Sequence, residues 1–119
     1  MVGKALNGTG VLGQTDTGIG VWAFSATPAG VALHVSGRAV FETAGSGVVP
    51  AGANSAFVAS TVVGPKSQVM VTLIGNPGNR QLRWVELSPS VGFTVHLSPA
   101  PPNGRPATPF VYLVIDRDT

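Results

Sequence analysis

The most constraining feature of this chain is a Gly-Val pair that recurs at Gly10-Val11, Gly20-Val21 and Gly30-Val31, a period of ten. Between the pairs lie polar, turn-forming stretches, Gln14-Thr15-Asp16-Thr17 and Ser25-Ala26-Thr27-Pro28. Each unit offers two or three apolar residues in a short extended segment, flanked by glycines that permit tight turns and close backbone approach. One such unit cannot bury its apolar face alone, and three thin layers from a single chain still make a poor core. Three chains wrapped about an axis would solve the problem. Val11, Val21 and Val31, with Leu12, Trp22 and Leu33 beside them, would then fill the interior layer by layer. Regularly placed Val, Leu and Trp argue against a Gly/Ser linker. The letters Gly8-x-Gly10-x-x-Gly13 match a dinucleotide fingerprint. That site needs a preceding strand and a following helix, and neither pattern is present.

Charge leads to the same expectation. Only 10% of residues are charged and the formal net charge is +2, against about 25% charged in an ordinary soluble domain. So few charged groups cannot cover a monomer's surface, so much of it is expected to be covered by other copies. The seven Lys and Arg are scattered and form no basic stripe, which speaks against nucleic acid as a partner. The absence of cysteine excludes disulfide frameworks, Cys-based zinc sites and thiol nucleophiles, and leaves oligomerisation as a route to stability. No apolar run is long enough for a membrane-spanning helix. The first residues, Met1 to Gly8, lack a signal-peptide core. They read as the start of a fragment whose export signal would lie elsewhere.

From Val35 onward, short β-rich runs alternate with Gly, Pro, Asn and Ser clusters, and no amphipathic helix is visible. Expected strands are Val35–Glu42, Val48-Val49, Ser55–Thr61, Ser67–Ile74, Gln81–Leu87, Phe93–Leu97 and Phe110–Ile115. Gly45-Ser46-Gly47 is expected to break the chain. Ser67–Ile74 carries Val69, Val71 and Leu73 on one face and Met70 and Ile74 on the other. This reads as a central strand covered on both sides. Phe93, Val95 and Leu97 alternate with Thr94, His96 and Ser98, as a half-buried antiparallel strand does. Asn76-Pro77-Gly78-Asn79 is a turn, because Pro fixes one φ and Gly permits a positive one. Pro99–Pro109, with five prolines, is a loop.

Chemistry is sparse. His34 sits at the junction after the repeats and His96 on the polar face of a strand. With only two histidines, one chain cannot build a three-His metal centre, and no metal or cofactor is expected. Asp116 and Asp118 read as a solvated terminus rather than a calcium site. The five acids show no paired arrangement for glycoside hydrolysis, and no Gly-x-Ser-x-Gly elbow exists. The chain is therefore expected not to be an enzyme. Leu82, Trp84 and Glu86 are expected to share one strand face. Trp84 reads first as packing, with sugar stacking as the alternative. The loops 43–47, 76–80 and 99–109 form the candidate recognition surface. They carry Asn79, Arg80, Asn103 and Arg105 as candidate ligand contacts.

Two passages carry a resemblance. The run Gly8–Gly30 is similar to the decapeptide-like repeats of fibre shafts. The stretches Ala32–Phe41, Val49-Pro50-Ala51-Gly52, Gly92–Leu97 and Phe110–Ile115 look like the β-rich head that follows such shafts. The chain thus resembles the C-terminal end of a trimeric, fibre- or tail-fibre-like surface protein. The resemblance implies an all-β fold in two parts: an intertwined trimeric stalk over 1–34 and an antiparallel β-sandwich, jelly-roll-like head over 35–119. It implies a non-catalytic trimerisation and capping role with the chain itself as partner. A carbohydrate- or receptor-binding head is the alternative. An extracellular, cell-surface or virion-associated location follows, with no membrane insertion.

Overall fold

The computed structural model describes residues 2–98 and 107–118. The chain divides into two compact units, residues 1–39 and residues 40–119.

In the first unit the sequence repeat is also a conformational repeat. Bends fall at 6–8 and 10, at 16–18 and 20, and at 26–30, with no strand among the described residues. The spacer residues make the turns. Thr15 Oγ1 accepts from the Gly18 amide at 3.2 Å, and one period later the Ser25 hydroxyl donates to the Thr27 carbonyl at 3.1 Å. The Gly30 amide closes that turn onto the same Thr27 carbonyl at 3.0 Å. Glycine at 13 is a packing requirement, since a Cβ there would land on the Val21 side chain and the Gly20 carbonyl. Gly3 stands in the same relation to Val11 and Gly10.

The second unit is all-β. Among the described residues its strands are β1 (Ala44–Val49), β2 (Ser55–Ala59), β3 (Ser67–Leu73), β4 (Leu82–Ser88), β5 (Gly92–Leu97) and β6 (Thr108–Asp116). They form two three-stranded antiparallel sheets, β1-β6-β3 and β2-β5-β4. Only β4 and β5 are consecutive and paired, and every other connection passes from one sheet to the other. The inward residues of both sheets meet in one core: Val49, Phe110 and Val114 from the first, Phe93, Val95 and Leu97 from the second, with Val63 between strands. The Phe93 and Tyr112 rings meet edge to face across this core, centroids 4.9 Å apart.

Several expectations change. Val35–Glu42 is not a strand, and Gly45-Ser46-Gly47 lies inside β1 instead of breaking the chain. The reason is across the ladder. Gly45 pairs with Tyr112 and Gly47 with Phe110. A Cβ on Gly45 would enter the Tyr112 ring, and one on Gly47 would stand 2.5 Å from Phe110 Cζ. The glycines make room for two rings. Strand β6 begins at Thr108, so Thr108 and Pro109 belong to it and not to the preceding loop. Strand β3 is an edge strand and β6 is the central one. The outward Met70 and Ile74 remain 58% and 45% exposed.

Candidate functional site

The best-formed constellation of functional side chains lies on the outer face of the β2-β5-β4 sheet. Alternation along β5 sends Phe93, Val95 and Leu97 into the core and Thr94 and His96 outward. On β4 the register slips between Leu82 and Trp84. Residues directly opposite in a ladder share a face. Leu82 pairs with buried Leu97, and Trp84 pairs with outward His96. The extra residue, Arg83, is a bulge of the kind that re-aims side chains. Leu82 therefore does not share a face with Trp84 and Glu86, contrary to the sequence expectation.

The indole of Trp84 stacks on the imidazole of His96, centroids 4.1 Å apart and planes within 5°. His96 Nε2 is 3.0 Å from Glu86 Oε1, so the carboxylate orients the imidazole and the imidazole supports the indole. This ion pair forms only when His96 is protonated, and its exposure limits what it adds to stability. The stacked rings contribute about 0.5–1.5 kcal/mol beyond area burial. Glu86 and Phe57 flank Thr94 across the ladder, and Ser55 flanks His96. Trp84 and Phe57 stay about half exposed, at 51% and 54%. The face thus combines two accessible aromatic rings with hydroxyl, imidazole and carboxylate groups.

The residues singled out from sequence are dispersed. Val11, Leu12, Val21, Trp22, Val31 and Leu33 are all solvent-facing in the single chain, from 60% exposed at Val11 to 77% at Val31. Asn79 is exposed in a turn where Asn76 Oδ1 accepts from the Gly78 amide at 2.9 Å. Arg80 is not a surface residue. It is 2% exposed, and its guanidinium donates to the Ala53 carbonyl and to Thr108 Oγ1, the latter at 3.4 Å. Asn103 and Arg105 lie outside the described residues. His34 is exposed. Asp116 accepts from the Ser67 hydroxyl at 2.7 Å, and the Asp118 backbone carbonyl accepts from Lys66 Nζ at 3.3 Å. Among the described residues no three His, Cys, Asp or Glu side chains gather into a metal-holding group. Loop 43–47 is mostly strand β1.

A separate open cleft of about 510 Å³ is lined by Glu42, Thr43, Ser60, Thr61 and Tyr112 together with Ala59, Val62 and Val91. Its polar lining is the Glu42 carboxylate, the Tyr112 phenol and the hydroxyls of Thr43, Ser60 and Thr61. Sequence reasoning placed Trp84, Glu86 and His96 on strands but did not join them. The missing element was the β4–β5 register, which brings 84 opposite 96.

No family model, no curated protein and no solved structure matches this chain.

Proposed function

We propose that this chain is a non-catalytic, homotrimeric assembly and capping module at the end of a fibrous, extracellular surface or phage-tail-like protein. Residues 1–34 form an intertwined stalk, and residues 35–119 form a β-sandwich, jelly-roll-like head. The observation that carries this reading is the coincidence of two periods. The bends of the first unit repeat with the Gly-Val pairs, and the apolar side chains they carry face outward in one chain. A regular unit that leaves Val, Leu and Trp in solvent needs neighbours to bury them. Copies of the same repeat offer a matching surface at every level. The close glycine contacts at 13 and 20 supply backbone geometry that larger residues would block.

The mass of the chain in solution tests this. Light scattering on a sizing column should give about three times the chain mass of 12.1 kDa. Replacing Val11, Val21 and Val31 together by Asp should return it to the monomer, because three buried carboxylates per chain would have no partners. A monomeric wild-type chain at micromolar concentration would sink the reading.

The Trp84 face favours a second, compatible reading, a head that binds carbohydrate. An indole presents a flat apolar face to the C–H groups of a pyranose, while Glu86 and His96 offer hydrogen-bonding groups beside it. Trp84→Ala should cost only about 1 kcal/mol of stability and should abolish any glycan-array signal, whereas Asn79→Ala should preserve it. An array without signal above background, or one unchanged by Trp84→Ala, rules this face out.

A further inference from the structure

We infer that the open cleft beside Tyr112 is a binding site for a primary ammonium group, carried by a free alkylamine or by a lysine side chain. The cleft lies in the head, where β1 of one sheet begins and β2 of the other ends. It is lined by Glu42 and Thr43 before β1, residues 59–62 after β2, Val91 before β5, and Tyr112 on β6. Its volume of about 510 Å³ falls in the range of small-ligand sites, about 300–1,000 Å³. The site is independent of the number of copies in the assembly and of the Trp84 face.

Backbone hydrogen bonds fix its walls. The Ser60 amide donates to the Val91 carbonyl at 2.9 Å, and the Ser90 amide donates to the Val63 carbonyl at 2.7 Å. Segment 60–63 is thus tied at both ends to the turn before β5. The Ala44 amide donates to the Phe41 carbonyl at 3.0 Å, closing a turn around Glu42 and Thr43. Two costly backbone choices converge on the same place. Ser90, with φ of +65°, is the one non-glycine residue with a positive φ among the described residues, and it immediately precedes Val91. Gly45, inside a strand, lets the Tyr112 ring lie across β1, where a Cβ would stand 2.6 Å from Tyr112 Cζ. A strand glycine and a left-handed serine each cost stability, and strained positions cluster at ligand sites.

The lining chemistry selects the ligand. The side chains of Glu42, Thr43, Ser60, Thr61 and Tyr112 make no hydrogen bond or ion pair with another described residue. Other acids of the head are already engaged, Glu86 with His96 and Asp116 with Ser67. Among the described residues no Lys, Arg or His lines the cleft, so an anionic ligand would meet only repulsion from Glu42. A neutral ligand filling the space would strip water from that carboxylate without supplying a charge partner, which is unfavourable. An ammonium group supplies the charge together with three N–H donors, and hydrogen bonds between charged groups are the stronger kind. The acceptors come from three separate segments, a spread that suits the rotatable donors of an ammonium better than a planar guanidinium fork. Val62 and Val91, 56% and 58% exposed, offer apolar contact to an alkyl stem.

Tyr112 is the only tyrosine in the chain, so incorporation of fluorotyrosine places a single fluorine NMR reporter in the cleft. The full chain is titrated at constant ionic strength with n-butylammonium chloride, with a lysine residue blocked at both ends, with sodium butyrate and with n-butanol. At least one of the two ammonium probes should give a saturable shift, and butyrate and butanol should give none. Saturation by n-butylammonium alone assigns the site to free amines, and saturation by the blocked lysine assigns it to a lysine side chain of a partner. Glu42→Gln should weaken the ammonium response about tenfold. Its melting temperature should stay unchanged, since Glu42 is exposed. No saturable shift with either ammonium probe overturns the inference. So does an equal response to butyrate or butanol, or a Glu42→Gln variant that binds the ammonium probe as tightly as the parent chain.

Discussion

Gly92→Ala is expected to lower the unfolding free energy of the head by about 3 kcal/mol or more, near the upper end of what overpacking costs. Gly92 opens β5 with φ of +156°, a conformation that residues with a Cβ rarely adopt. A Cβ there would fall on the Val58 carbonyl oxygen, with Phe57 Cζ only 2.8 Å away. The side-chain clash could be relieved by a rotation of Phe57. The clash with backbone could not, because Val58 and Ala59 pair with Phe93 and Gly92 in the β2–β5 ladder. Relief would require β2 to move away from β5 and expose Phe93, which is fully buried. For a domain of this size the loss corresponds to a drop of about 12–24 °C in melting temperature. Circular dichroism melts at fixed protein concentration measure it. A shift of only a degree or two would mean that this strand pairing is not as close as described.

Arg80→Ala is expected to be the second most damaging change, at about 3 kcal/mol. Hydrogen bonds to a charged group contribute about 1.5–3 kcal/mol, and removing one member of a buried set leaves its partners unsatisfied. The guanidinium joins three separate parts of the head: the turn before β4, the Ala53 carbonyl before β2, and Thr108 at the start of β6. Thr108 is itself fully buried. Arg80→Lys should recover little, because a single ammonium cannot span the two directions of the fork. Urea titrations of the two variants would measure this. Full stability in the lysine variant would show that charge alone, and not the planar fork, is what the site uses.

Much of the head was legible in its sequence because strand alternation is local. The pattern Phe93-x-Val95-x-Leu97 needs no knowledge of its neighbours to identify a half-buried strand, and it forms the central strand of its sheet. The turn at Asn76–Asn79 is equally local, since Pro and Gly set their own dihedral angles. Gly45 and Gly47 show the same locality in reverse. Taken alone, Gly-Ser-Gly signals a break. Its role as strand depends on rings more than sixty residues away, at 110 and 112. The one available clue is a spacing of two at both sites, glycines 45 and 47 against aromatics 110 and 112.

The candidate binding face divides in the same way. Trp84, Glu86 and His96 each look unremarkable along the chain. The bulge at Arg83 turns Trp84 onto the outer face beside His96 while Leu82 stays opposite Leu97. Arg80 moved the other way, from an expected surface contact to a buried tie. A loop position carries no information about which distant carbonyl or hydroxyl lies above it.

The period of ten in the first unit, the all-β character of the second and the alternation that selects most core residues are all legible along the chain. These follow from backbone preferences and the two-residue repeat of a strand, which act between near neighbours. The strand order, the edge position of β3, the place of the glycines in β1 and the meeting of Trp84 with His96 emerge only once the strands pair. Those depend on which distant segments pair and in what register, and a slip of one residue in that pairing would reverse every face.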